Sequence, residues 1–141
     1  MTVPDQPGHD SPAALALASF GDGRFATLAG EAQQGDWAVV LLLTNEKPFV
    51  VPYEVVFHRD GGRWSEVAGN DSPGWRSTGG ANGLVTFWAE SPGGESPVRV
   101  SYRGTTATVP VEAGYFLAVF WDVPEDDFDP AAQPELTPSP G

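Results

Sequence analysis

Three groups of residues in this sequence have side chains that could do chemistry. The first is His58-Arg59-Asp60, an imidazole two positions from a carboxylate. A His–Asp pair can act as a general base, but it needs a nucleophile to activate, and no serine stands in a Gly-x-Ser-x-Gly turn. As a zinc ligand His58 also lacks company, because His9 lies in a polar, Pro-rich leader and the chain has no cysteine. It reads as a structural or surface histidine. The second group is the acidic string Glu125, Asp126, Asp127 and Asp129. Calcium wants several hard oxygens on a flexible loop. Here Asp126, Asp127 and Asp129 match only a fragment of a calcium-loop pattern, the required glycine is missing and Pro130 follows. They are weak metal candidates, and a solvated tail is the simpler reading. Carboxylates such as Glu54 and Glu90 invite a glycosidase reading, but nothing in the sequence sets their separation, and carboxylates are ordinarily exposed.

The third group is "GNDSPGWRSTGGANG", residues 69–83. An aromatic side chain in a glycine-rich loop can form a stacking platform, because it offers rigid area at little entropic cost. Trp75, with Arg76, Asn70 and Asp71 beside it, is the expected ligand- or partner-binding site. The competing reading is that Trp75 plugs the end of the fold. Neither "STGGANG" nor "SPGGES" carries the Lys-Ser/Thr pair and the strand–helix setting of a phosphate loop, and no cofactor is expected.

Composition narrows the classes further. The chain has 141 residues, a length that suits one ordinary domain. Its 40% hydrophobic content, with five Trp and eight Phe, can fill a core. Seventeen Gly and 14 Pro interrupt helices and favour short strands joined by turns. The formal net charge of −12 repels phosphate backbones and anionic lipid, so neither nucleic acid nor membrane is an expected partner. A basic partner or a cation fits that charge. No apolar run is long enough to span a bilayer, and "AALALA" after an acidic start is a poor secretory signal. A cytoplasmic protein is the simplest reading, with a secreted domain lacking its leader as the alternative. Heavy use of Ala, Gly, Pro, Val, Arg and Asp with a single Lys suggests a GC-rich genome.

These residues need elements to position them. Residues 1–11 read as a disordered leader. Ser11-Pro12 offers an N-cap followed by Pro at the first helical position, and a short helix is expected over 12–20, with Gly21 as its stop. Strands follow at 24–32, 37–44, 50–59 and 63–68, and Asp60-Gly61-Gly62 between the last two is a hairpin signal. After the 69–83 loop a second set is expected at 84–90, 97–102, 106–111 and 115–121. In "VRVSYR" the apolar residues alternate with Arg99, Ser101 and Arg103, the mark of a strand with one wet face. "WAVVLLL" and "YFLAVFW" are apolar on both faces, which implies cover on both and argues for one composite domain over residues 12–124. Residues 125–141 read as an acidic, Pro-rich flexible tail. Trp121 reads as packed, not presented. The expected fold class is all-β, an antiparallel sandwich-like or partly open barrel domain with a short N-terminal helix.

"GWRSTGG…GLVTFWAE" (74–90), "VSYRGTTATVPVEAGYFLAVFWDVP" (100–124) and "FHRDGGRWSEV" (57–67) resemble small β-rich uncharacterised proteins of high-GC, actinobacterial-type bacteria. The resemblance implies a β-rich fold over residues from about 24 to about 124, where strand signals recur, and implies no reaction. The functional expectation is a non-catalytic binding or protein-interaction module, with an unknown protein as partner and oligomeric state left open. The alternatives are a hydrolase acting on a sugar or ester, and a structural subunit whose strand edge pairs with a neighbour.

Overall fold

The computed structural model describes residues 11–20, 25–44, 51–78, 82–91, 96–127 and 135–138. Among them the chain is all-β with one short helix, and its sheets are antiparallel and not closed into a barrel. It divides into two compact units, residues 1–71 and 72–141. The division falls where the sequence separates its first and second sets of strands. No described helix is long and apolar enough to cross a membrane.

In the first unit helix α1 (Pro12–Ala18) starts as its cap predicts. Ser11 is extended, its hydroxyl accepts from the Ala14 N–H at 3.1 Å, and Pro12 occupies the first turn. The helix ends at Ser19, a little short of the expected 20, and Gly21 lies outside the described residues. Four strands follow as a meander: β1 (Ala26–Gln34), β2 (Trp37–Thr44), β3 (Val51–Asp60) and β4 (Arg63–Asn70). The β3–β4 turn is Gly61-Gly62 with φ of 62° and 81°, a conformation that a side chain would oppose. Ala16 of the helix packs with Ala26, Ala38, Val40, Leu42, Val55 and Phe57. The whole run Ala38–Leu43 is buried.

The second unit has two sheets. One has the order β5-β6-β10-β9, from β5 (Trp75–Ser77), β6 (Asn82–Glu90), β9 (Val111–Glu112) and β10 (Tyr115–Pro124). The other has the order β11-β7-β8, from β7 (Val98–Tyr102), β8 (Thr105–Val109) and β11 (Glu135–Pro138). Side chains from both form one core: Val85 of β6, Val98, Val100 and Tyr102 of β7, and Phe116, Ala118 and Phe120 of β10. This is the sandwich-like layering that the alternation in "VRVSYR" implies, with Val98, Val100 and Tyr102 inward and Arg99 and Arg103 outward.

Several expected boundaries move. The 69–83 stretch is not all loop: β4 runs to Asn70, Trp75–Ser77 pairs with β6, and β6 itself begins at Asn82. "TATVPV" is two strands, because Pro110 cannot donate to a ladder. β8 stays with β7, while Val111 and Glu112 cross to pair with β10. The stretch from residue 125 contains a 3-10 turn at Glu125–Asp127 and a strand, Glu135–Pro138, paired antiparallel with β7. The otherwise unpaired edge of β7 supplies the backbone partners that make a strand there, and proline is tolerated at an edge.

Candidate functional site

The residues of the expected site divide between the two units. Asn70 is half-buried at the end of β4 and Asp71 is exposed, both in the first unit, whereas Trp75 and Arg76 belong to the second. Trp75 is half-buried on the second core, and its indole N–H donates to the Val123 carbonyl at 2.9 Å. Its ring lies where a Cβ on Gly83 would stand, so glycine there is a packing requirement. Arg76 folds back onto its own segment, donating to the carbonyls of Trp75 at 3.0 Å and Ser72 at 2.5 Å. The loop is tied down from the other side by Thr86, which donates its N–H to the Gly74 carbonyl at 2.9 Å and accepts at its hydroxyl from the Gly74 N–H at 3.1 Å.

The other sequence candidates are also placed. His58 is half-buried in β3 and stacks on Trp37, its register partner in β2, with ring centroids 4.5 Å apart. Arg59 bonds Asp36 at 3.1 Å and covers the Trp64 ring at 4.8 Å, so this end of the first unit is a structural cluster. Glu54, in the central strand β3, is fully buried, contrary to the expected solvated face. Glu90 is exposed in the second unit. Among the described residues no three His, Asp or Glu side chains are grouped to hold a metal. Asp126 is exposed, and Asp129 lies outside the described residues.

A cavity of about 220 Å³ opens instead at the end of β10, lined by Tyr102, Arg103, Thr105, Phe120, Trp121, Asp122, Val123, Pro124 and Asp127. Three local devices build it. The first is a bulge. Phe120 pairs with Val85 and Val123 with Gly83, so Trp121 and Asp122 together face the single residue Leu84. Two residues against one bend the strand and re-aim its side chains. Asp122 takes up the bend with φ of 57°. The second device is the β7–β8 hairpin, whose turn residues Arg103 and Gly104 have φ of 51° and 80°. The third is the 3-10 turn that brings Asp127 to within 3.7 Å of the Arg103 guanidinium.

The wall is aromatic and the rim is charged. Tyr102 and Phe120 pack with ring centroids 5.6 Å apart and planes tilted by 45°, and Phe87 closes the cluster at 5.0 Å from Tyr102 and 5.9 Å from Phe120. Trp121 is half-buried, and Asp122, Arg103 and Asp127 are exposed. Tyr102 is only 5% exposed, and its hydroxyl has no hydrogen-bond partner among the described residues. A buried polar group left in that state costs about 1–3 kcal/mol. Sequence reading placed Trp121 in the scaffold and the acids in solvent. Glu125, Asp126 and Asp127 are indeed exposed, and the structure adds that Trp121 and Asp127 line one cleft. The sequence signal was Trp-Asp next to a proline at the end of an apolar strand, a local pattern that gives no sign of a bulge.

No family model, curated protein or solved structure matches the chain, so the functional reading rests on this geometry.

Proposed function

We propose that the protein is a non-catalytic binding module and that the β10 cleft is its ligand seat. The observation that carries this is the open cavity itself, which gathers the half-buried Trp121 and the exposed Arg103, Asp122 and Asp127 on one lining. Backbone strain supports the same place. Three non-glycine residues among those described have positive φ, and two of them, Arg103 and Asp122, line this cavity. Strain of this kind costs free energy and concentrates at binding clamps. The 69–83 segment has the opposite character, since its one large aromatic and its arginine are both engaged with the chain itself.

The test is a small-molecule fragment library screened on the full chain by amide and indole NMR. Binders are expected to shift Tyr102, Arg103, Trp121 and Asp122 together. Fragments that shift Trp75 and Arg76 and leave the cleft unmoved return the site to the 69–83 segment.

A further inference from the structure

The lining of this cleft also bears on what enters it, and the inference rests on the cleft being the ligand seat. We propose that the β10 cleft receives a cationic side chain, the ammonium of a lysine or the guanidinium of an arginine, presented by a basic protein partner. Size is the first argument. About 220 Å³ is below the roughly 300–1,000 Å³ that drug-sized ligands fill, and it suits one extended side chain. The wall is the second. Among the lining aromatics Trp121 is half-buried while Tyr102 and Phe120 are packed in the core beside it, and an aromatic face attracts cations, most strongly where water is displaced.

Charge is the third argument. Asp122 and Asp127 stand at the rim against a single guanidinium, that of Arg103, and the exposed Glu125 and Asp126 adjoin them. The whole chain carries −12, so its long-range field draws basic partners toward it and repels acidic ones. Arg103 already shows the chemistry in miniature. Its contact with Asp127 is 3.7 Å long, with the two side chains 52% and 49% exposed. A tight charge-assisted bond is about 2.7–2.9 Å, so this pair is loose enough for an incoming cation to share or take over Asp127.

The experiment titrates the full chain with four probes followed by NMR: the blocked amino acids N-acetyl-arginine amide, N-acetyl-lysine amide and N-acetyl-norleucine amide, and glucose. The two cations are expected to give saturable shifts at the Trp121 indole, Tyr102 and Arg103. Their affinity should fall at least tenfold in Asp122→Asn/Asp127→Asn and weaken as salt is raised. Norleucine amide or glucose moving these resonances while both cations leave them still overturns the cation inference and keeps a binding cleft. Silence from all four overturns both. Unchanged cation affinity in the double variant, with the same thermal midpoint as the parent, also overturns the inference, because the carboxylates would then have no part in it.

Discussion

Trp75 and Trp121 are both half-buried tryptophans in the second unit, and each has a charged residue immediately after it, Arg76 or Asp122. Their positions are opposite in kind. The Trp75 indole N–H ends on the Val123 carbonyl, its ring rests against Gly83, and its neighbour Arg76 bonds the local backbone. Trp121 stands at a bulge, beside a residue at positive φ, on the wall of a cavity. The difference shows that a tryptophan in a glycine-rich segment can be a fastener, while one in an apolar strand can line an open cleft. The fastener also serves the cleft, because the carbonyl it holds belongs to Val123, itself a lining residue.

The widest separation between the two should come from truncation. Trp75→Ala removes a core-packed ring and strands the Val123 carbonyl, and a loss of about 3–5 kcal/mol is expected in denaturant unfolding. Trp121→Ala should cost about 1 kcal/mol or less, as a partly exposed site does, while removing the ring contribution to ligand affinity. Equal losses from both would erase the contrast. Gly83→Ala comes next. A Cβ there would overlap the Arg76 carbonyl and the Trp75 ring, and overpacking of this sort costs about 1–3 kcal/mol. A thermal midpoint matching the parent would show that Trp75 is not held as described.

Removing the two polar groups sharpens the comparison further, because the signs should differ. Trp75→Phe removes the indole N–H together with part of a packed ring and is expected to cost more than the roughly 1 kcal/mol of the hydrogen bond alone. Tyr102→Phe removes a hydroxyl that has no partner among the described residues, so stability should hold or rise by up to about 1 kcal/mol. Both are read from urea midpoints.

The smallest effect lies in the alkaline limb. Burial first, and then the carboxylate of Glu90 opposite it in the β6–β10 register, raise the Tyr115 phenol above its ordinary 10.0. The unfolded phenol therefore loses its proton first. Stability is intact below pH about 10 and declines as pH rises through the folded value. Tyr115→Phe should flatten that decline in thermal melts, and Glu90→Gln should move the phenol's absorbance titration part of the way back.

Much of the scaffold was readable because it depends on near neighbours. Ser11-Pro12 caps a helix, Gly61-Gly62 turns a hairpin, and Val98, Val100 and Tyr102 alternate with polar residues, each within a few positions. The cleft was not readable for the complementary reason. It needs the β7–β8 turn, the bulge at Trp121-Asp122 and the turn carrying Asp127 to meet; the first is a local hairpin, but the bulge is set by pairing with β6 and Asp127 approaches Arg103 from far along the chain. Pro110 is the instructive intermediate. Its lack of a donor is visible in one residue, but the transfer of Val111 and Glu112 to the other sheet is set by where β10 passes.

The two units also differ in how far their chain must travel to close each sheet. In the first, every strand pairs only with the strand before or after it, so each step is a hairpin with a short loop to order. In the second, β10 reaches β6 only after the chain has made the β7–β8 excursion, and β11 must return to β7 from beyond β10. Folding rate falls as contacts grow more distant in sequence. The meander is therefore the fast half of this chain. The half that carries the cleft is the slow one, exposing its apolar strands longest before they are covered.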